Sequence, residues 1–169
     1  MDAYYDTIAP AYDELHEAEQ LKKLDIIKEE LKKAKININT DTKLLDIGCG
    51  TGISSQFDCD VTGIDPSEEL LKIAEKRLPA AQFFQQSAEA LDFDDNEFDV
   101  VISLTAIQNF ENLEKGLSEI KRVGKSYAIS YLKKSNKADE IDSLITKLFK
   151  GLKIKKIEED KDIIFIINK

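Results

Sequence analysis

Three glycines and one aspartate have the spacing of a ligand-binding turn. Glycines stand at positions 48, 50 and 52, directly after the apolar segment Lys43–Ile47 (KLLDI). Glycine lets the backbone turn sharply and lets a ligand approach without meeting a Cβ atom. Asp65 ends the next apolar segment, VTGI, and its carboxylate can accept hydrogen bonds from the neighbouring hydroxyls of a ribose. Together these features favour a nucleoside site.

The glycine pattern excludes two common nucleotide loops. It reads GxGxG. The dinucleotide fingerprint GxGxxG would need a glycine at position 53, where this chain has Ile53. The chain also lacks a GxxxxGK[ST] phosphate loop. Because no basic residue lies in the glycine turn to hold a phosphate, a nucleoside is favoured over a nucleotide.

The elements that must position these residues alternate between strand and helix. Strands are predicted at 43–47, 61–64, 81–85, 98–103 and 126–132, followed by a hairpin of LKIKKIE and DIIFIIN. A first helix is predicted around an apolar stripe, which consists of Leu21, Leu24, Ile27 and Leu31 at helical spacing. Further helices are predicted over a short stretch at Ile53–Phe57, from Ser67 onward, and at 111–123 and 138–149. Pro10 is expected to interrupt any helix before the first stripe.

This alternation predicts a mostly parallel sheet with helices on both faces and an antiparallel pair at one edge. In such sheets ligands bind beyond the carboxyl ends of the strands, near the point where the strand order reverses. We therefore expect the chemistry at residues 46–52, at Asp65, at 87–89 and at 103–110.

Length and composition indicate one globular domain. The chain has 169 residues, of which 42 % are hydrophobic and 34 % charged, and single domains mostly run about 100 to 200 residues. We expect one domain over residues 1–169, with an N-terminal lid segment and helix over 1–35 and an α/β core over 43–169. No run approaches the roughly 18 apolar residues that span a bilayer, so neither membrane insertion nor secretion is expected.

Cysteine, histidine and charge content narrow the function classes further. Two cysteines and one histidine are too few for a disulfide scaffold or a four-ligand zinc site, so we expect no metal and a cytoplasmic location. A net charge of −9 disfavours nonspecific binding to nucleic acid. From Lys121 onward the chain nevertheless carries 13 basic and 7 acidic residues, which leaves open a solvated lysine-rich face or a surface for a partner.

Three motifs, in order along the chain, resemble those of one family. LLDIGCGTG at 44–52, VTGIDPSEELLKIAEKR at 61–77 and SAEALDFDDNEFDVVIS at 87–103 resemble the successive motifs of class I S-adenosylmethionine-dependent methyltransferases. YYDTIAPAYD at 4–13 resembles the opening segment of the subgroup with the small-molecule and quinone C-methyltransferases (methyltransferase domain 11). The resemblance covers nearly the whole chain. It implies a Rossmann-like, doubly wound, mostly parallel sheet of seven strands with an antiparallel C-terminal hairpin.

The resemblance also implies which residues bind S-adenosylmethionine and its product S-adenosylhomocysteine. Asp65 would hold the ribose hydroxyls, with Pro66 beside the adenine. The family often has an aspartate where this chain has Ser87, so adenine recognition would rest on the Ser87 hydroxyl, the Ala88 backbone or Glu89. Around the methionine part and its sulfonium the resemblance places Tyr5, Tyr12, Asp46, Gly48, Cys49, Gly50, Ser103 and Leu104.

A sulfonium methyl group is a strong electrophile, so holding an acceptor in line with it in a dry pocket provides much of the acceleration. A base is needed only when the acceptor keeps its proton at neutral pH. Candidates for that base or for acceptor contacts are His16, Tyr12, Gln108 and Asn109. Many small-molecule relatives have two histidines where this chain has the two amides, which here would orient an acceptor by hydrogen bonds.

These features favour a methyltransferase that acts on a small-molecule acceptor as a monomer or homodimer. Two alternatives stay open. One is a methyltransferase of RNA or protein, with an activating partner on the basic last third of the chain. The other is a non-catalytic module that binds S-adenosylmethionine, because no base is evident and the helix after the glycine turn is short.

Overall fold

The computed structural model is a seven-stranded sheet with helices on both faces. It describes residues 17–169 in full and, for residues 2–16, only the path of the helical backbone. The strands are β1 (Lys43–Ile47), β2 (Asp60–Asp65), β3 (Gln82–Gln85), β4 (Phe98–Leu104), β5 (Gly124–Leu132), β6 (Lys153–Glu158) and β7 (Asp162–Asn168). The helices are α1 (Asp2–Lys33), α2 (Glu68–Arg77), α3 (Leu113–Val123) and α4 (Ala138–Leu148), with a short 3₁₀ turn at Ile107–Asn109.

The strand order confirms the predicted topology. It is β3-β2-β1-β4-β5-β7-β6, with the first five strands parallel and β7 antiparallel to both of its neighbours. The chain winds outward in one direction from β1 to β3 and then in the other direction from β4, so β1 and β4 flank the switch point. The carboxyl ends of these two strands are therefore where a ligand is expected.

Each face of the sheet has its own apolar cluster. On one face Leu24, Ile27 and Leu31 of α1 pack against β1, β2, β4, β5 and β7. On the other face α3 and α4 bury the stripes that the sequence predicts, with Leu117 of α3 and Ile141 of α4 inaccessible to solvent. Leu21 departs from its predicted stripe, because it is 37 % exposed. In the described part of the chain, none of the helices combines the length and apolar character needed to cross a membrane.

Side-chain caps begin the helices beside the site. The Ser67 hydroxyl accepts a hydrogen bond from the backbone N–H of Leu70 and starts α2 directly after β2. Asn112 caps α3 in the same way through the N–H of Lys115. Such caps satisfy backbone donors that have no partner inside the helix. They fix where the loops after β2 and before α3 end.

Two sequence-based predictions about helices are wrong. No helix forms over Ile53–Phe57, because the connection between β1 and β2 is a series of turns. Ser54 and Ser55 instead turn their hydroxyls onto the buried carboxylate of Asp46, and such side-chain bonds compete with a helical backbone. Helix α1 includes position 10, where Pro10 was expected to interrupt it; proline removes one helical hydrogen bond and kinks a helix without always ending it.

Candidate cofactor-binding site

A cavity of about 270 Å³ opens at the carboxyl ends of β1, β2 and β4. It lies at the switch point, where the sequence places the chemistry. The predicted site residues that line it are Gly48, Gly50, Asp65, Pro66, Ser87, Ala88, Glu89, Leu104 and Asn109. The fold thus brings together residues from three separate motifs.

The glycine turn after β1 is held against the end of β2. The backbone N–H groups of Gly48 and Cys49 both donate to the Ile64 carbonyl, at 2.9 and 3.0 Å. Gly48 has φ +72°, in the left-handed region that favours glycine. A Cβ atom on Gly48 would lie 2.5 Å from the Cβ of Ala106, which is too close for two non-bonded carbon atoms. Glycine is therefore required at position 48 for both conformation and space.

Asp65 is fixed in place by the two loops that surround the cavity. Its Oδ2 accepts a hydrogen bond from the backbone N–H of Gly50 at 3.0 Å, and its Oδ1 accepts one from the N–H of Ser67 at 2.9 Å. The side chain is buried, yet Asp65 forms part of the cavity wall. Since a carboxylate oxygen accepts more than one hydrogen bond, this orientation fits the pair of hydroxyls of a ribose.

Ser87 and Glu89 form a linked pair at another part of the cavity wall. The Ser87 hydroxyl donates to Glu89 Oε2 at 2.5 Å, and the backbone N–H of Asn112 donates to Glu89 Oε1 at 3.2 Å. Partial burial acts to raise the pKa of Glu89, but the hydrogen bond from Ser87 and those from nearby backbone groups outweigh it, so the pKa is lowered. Glu89 therefore presents an ionised carboxylate beside Ser87, the position at which the family often has an aspartate.

Asp46 lies beneath the glycine turn and outside the cavity wall. Its Oδ2 accepts hydrogen bonds from the hydroxyls of Ser54 and Ser55, both at 2.6 Å, whereas its buried Oδ1 has no hydrogen-bond partner among the described residues. Burial raises the pKa of Asp46 to about 6, with a further contribution from the negative charge of Asp65. An unpartnered carboxylate oxygen favours a cationic ligand group nearby, which fits the ammonium of the methionine part.

Other predicted site residues lie behind the cavity wall. The Ser103 hydroxyl donates to the Ile47 carbonyl at 2.9 Å and ties β4 to the end of β1. The thiol of Cys49 is buried, and burial raises its pKa well above the usual value, so it stays protonated. Gln108 donates from Nε2 to the Thr105 carbonyl at 2.9 Å. The predictions for the side chains of Tyr5, Tyr12 and His16 fall outside the fully described residues.

Some cavity residues were not singled out from the sequence. Thr105, Ala106 and Phe110 belong to the stretch 103–110, which the strand-end rule indicates without giving individual roles. Gln86 and Glu111 lie just outside the indicated stretches. Gln86 directly follows a predicted parallel strand, and this position is the one feature of the sequence that could have indicated it. Within residues 17–169, no three His, Cys, Asp or Glu side chains come together as metal ligands.

Comparisons with known proteins agree with this geometry. The family model described as methyltransferase domain matches residues 45–132. The demethylmenaquinone methyltransferase of Chlorobaculum tepidum is 32 % identical over 137 residues, which are 76 % of this chain and 56 % of that protein. An uncharacterized protein of Methanocaldococcus jannaschii is 33 % identical over 150 residues, which are 88 % of this chain and 56 % of that protein. The chain thus spans little more than half the length of these relatives.

Solved structures share the fold at low identity. The chain complexed with the Trm112 methyltransferase activator of Haloferax volcanii has a TM-score of 0.75 and 17 % identity, over 97 % of this chain and 96 % of that one. Magnesium protoporphyrin IX methyltransferase of Synechocystis PCC 6803, solved with bound S-adenosylmethionine, has a TM-score of 0.69 and 18 % identity, over 88 % of this chain and 79 % of that one. The family match covers more than half of the chain; this protein therefore belongs to the methyltransferase domain family, whose cofactor is S-adenosylmethionine.

Proposed function

We propose that the chain transfers a methyl group from S-adenosylmethionine to a small-molecule acceptor. The observation that carries the proposal is the hydrogen bond between the glycine turn and Asp65, which joins two motifs into one wall of the cavity. The site residues fit the cofactor: Asp65 would hold the ribose, Glu89 and the Ala88 backbone the adenine, and the Gly48–Gly50 turn the methionine part. When bound, the cofactor supplies an activated methyl group.

The protein contributes orientation and exclusion of water. Gly48 lets the cofactor lie directly against the backbone, and the Ala106 side chain covers the other side of that turn. Leu104 and Phe110 add apolar surface to the cavity, which keeps water from the reacting atoms. Asn109 lies in the same wall and is proposed to orient the acceptor, with Gln108 behind it.

The relatives and the cavity together favour a small, partly apolar acceptor. Several relatives are demethylmenaquinone methyltransferases, whose named substrate is a quinone. The end of the cavity beyond the glycine turn combines apolar side chains, Leu104, Ala106 and Phe110, with polar Thr105 and Asn109. Such a wall suits a flat ring with a polar substituent. Tyr5, Tyr12 and His16 stay predictions for the cover of this site.

The arrangement of charge argues against a nucleic-acid acceptor. In the described residues, five lysines of the last third make ion pairs with acidic residues of other elements. These pairs are Lys125–Asp99, Lys147–Glu114, Lys155–Glu30, Lys156–Asp142 and Lys161–Glu19. Lysines paired in this way offer less charge to phosphates than the count alone suggests.

A two-stage measurement tests the proposal. Calorimetry with S-adenosylhomocysteine should show binding to one site per chain. Release of S-adenosylhomocysteine from S-adenosylmethionine should then appear with small aromatic hydroxyl compounds and quinols, and should be absent with tRNA or denatured protein. Binding without release by any compound would favour a non-catalytic module. Release with RNA or protein alone, with or without an added activator like the partner in the Haloferax volcanii complex, would favour the other alternative.

A further inference from the structure

A buried polar cluster joins three elements at the acceptor end of the cavity. Lys23 of α1 donates from Nζ to the hydroxyl of Thr105 and forms an ion pair with Asp162 Oδ2 at 2.8 Å. The Thr105 hydroxyl donates in turn to the same Asp162 oxygen at 2.7 Å. The side chains of Lys23 and Asp162 are only 7 % and 2 % exposed. Asp162 reaches this edge because antiparallel β7 begins where the parallel strands end.

This cluster lowers the stability of the fold in two ways. Thr105 has φ +55°, a left-handed conformation that is a genuine outlier for a β-branched residue. Strain of this kind costs on the order of 1 to 3 kcal/mol and is concentrated at functional sites. A buried ion pair adds a desolvation cost and is weak support for stability. Both costs fall on Thr105 and its partners, and Thr105 lines the cavity.

The backbone around Thr105 holds the hydroxyl in one orientation. The N–H of Thr105 donates to the carbonyl and the hydroxyl of Ser130, at 3.1 and 2.9 Å. Its carbonyl accepts the hydrogen bond from Gln108. The next residue, Ala106, is the one that meets Gly48. Thr105 is therefore rigidly placed beside the turn that would hold the methionine part of the cofactor.

The Thr105 hydroxyl keeps one free hydrogen-bonding position, and that position is an acceptor. A hydroxyl has one hydrogen and two lone pairs. Thr105 gives its hydrogen to Asp162 and one lone pair to Lys23, so only a lone pair remains. In the described part of the chain, the buried Oε1 atoms of Gln108, behind the cavity wall, and of Gln20, one helical turn before Lys23, likewise have no hydrogen-bond partner. These three oxygens can accept hydrogen bonds and cannot donate them.

The charges at this end also balance. The ammonium of Lys23 is matched by the carboxylate of Asp162 at 2.8 Å, so the cluster offers no net positive charge to an anion. A carboxylate or phosphate placed against the Thr105 hydroxyl would meet the remaining lone pair of that hydroxyl. A neutral hydroxyl or amine would instead donate a hydrogen to that lone pair.

We propose that Thr105, positioned by Lys23 and Asp162, binds the methyl acceptor through a neutral hydrogen-bond donor on that acceptor. The proposal rests on the proposed function and deepens it, because it selects among small molecules. Acceptors that carry a hydroxyl or amino group beside the methylated atom are favoured. Their ethers and their carboxylate analogues are rejected.

Three naphthalene probes of similar size test the proposal on the full chain saturated with S-adenosylhomocysteine. 1-Naphthol carries a donor, 1-methoxynaphthalene carries none, and 1-naphthoate is an anion. We expect 1-naphthol to bind about five- to tenfold more tightly than the ether, the range of one net hydrogen bond, and 1-naphthoate to bind most weakly. Equal affinity for 1-naphthol and the ether, or tighter binding of 1-naphthoate, would overturn the proposal without any variant.

Variants then assign the preference to Thr105. Thr105→Val keeps the branched shape and removes the hydroxyl, so the preference for 1-naphthol should disappear, while Thr105→Ser should retain it. Thr146→Val is the matched control, because Thr146 is an exposed residue of α4 and its hydroxyl donates to the Asp142 carbonyl. A preference that survives in Thr105→Val would contradict the assignment. Titration with S-adenosylhomocysteine alone separates this failure from failure of the proposed function, which would abolish cofactor binding as well.

Discussion

The backbone N–H of Gly50 donates to Asp65 Oδ2 at 3.0 Å. This hydrogen bond joins two residues 15 positions apart, one in the turn after β1 and the other at the end of β2. It gives the glycine turn and the carboxylate that is proposed to bind the ribose a fixed mutual geometry before any ligand arrives. A ligand that binds here therefore loses no binding free energy to the ordering of these groups.

Replacing Asp65 should weaken cofactor binding. Asp65→Ala is expected to lower the affinity for S-adenosylhomocysteine about 10- to 150-fold, which corresponds to roughly 1.5 to 3 kcal/mol for hydrogen bonds to a charged group. Calorimetry measures the change. Asp99→Ala is the control, because Asp99 accepts from the backbone N–H of Lys43 at the opposite end of the sheet. An unchanged dissociation constant in Asp65→Ala would remove the ribose assignment.

Adding one methyl group to the glycine turn should damage both fold and site. Gly48→Ala forces a left-handed alanine and a 2.5 Å contact with the Ala106 Cβ, so we expect more than the roughly 1 to 2 kcal/mol of backbone strain alone and little cofactor binding. Gly151→Ala has a comparable φ of +93° but open space around the new atom. It should show the strain alone in urea unfolding, with normal cofactor affinity. Equal effects of the two substitutions would argue against the close approach.

The buried carboxyl of Asp46 should make stability depend on pH. Its folded pKa of about 6 lies above the ordinary 3.8, mainly because of burial, so the folded state holds this proton more tightly than the unfolded state. The stabilisation by the neutral form is complete below pH 3.8 and is lost as the pH rises through about 6. Asp46→Asn should therefore stabilise the protein at pH 8, by up to about 3 kcal/mol.

The same comparison at lower pH checks the sign. Urea unfolding from pH 8 down to pH 4.5 should show the advantage of Asp46→Asn shrinking, because the wild-type carboxyl takes up its proton over this range. A constant or growing advantage at low pH would show that Asp46 is ionised throughout. The hydroxyls of Ser54 and Ser55 would then be the stronger influence on this carboxyl.

Loss of the Glu89 carboxylate should weaken recognition of the adenosine part. Glu89 accepts hydrogen bonds from Ser87 and from the backbone of Asn112, so Glu89→Ala removes the proposed adenine contact and loosens the turn. We expect about a tenfold loss of affinity for adenosine as well as for S-adenosylhomocysteine. Glu97→Ala, which affects a loop carboxylate that accepts from the N–H of Asp94, should leave both affinities unchanged. Normal adenosine binding by Glu89→Ala would show that Ser87 and Ala88 suffice.

The order of elements and the location of the site could be predicted from the sequence. Strands such as Lys43–Ile47 and Phe98–Leu104 are short apolar runs between turn residues, and their local composition is enough to place them. The Gly48 turn and Asp65 were found because a parallel sheet brings its strand ends to one edge. The sequence predicts a helix from Ser67 onward, and Ser67 does cap α2.

The missing helix after β1 depended on contacts that local propensity does not contain. Whether residues 53–57 form a helix was decided by the hydroxyls of Ser54 and Ser55, which bond to Asp46 eight and nine residues earlier. A window of a few residues cannot weigh that bond against helical hydrogen bonding. The sequence shows only that the connection is short.

The sequence alone determined which residues are proposed for the cofactor, because glycine spacing and a strand-end carboxylate are local features with a fixed geometric meaning. The cluster proposed to contact the acceptor was decided by the tertiary structure. Lys23, Thr105 and Asp162 are 82 and 57 residues apart along the chain, and no local pattern connects them. Their association follows from two facts of packing, that α1 crosses the sheet and that β7 runs antiparallel. Both are consequences of burying apolar faces far apart in the sequence.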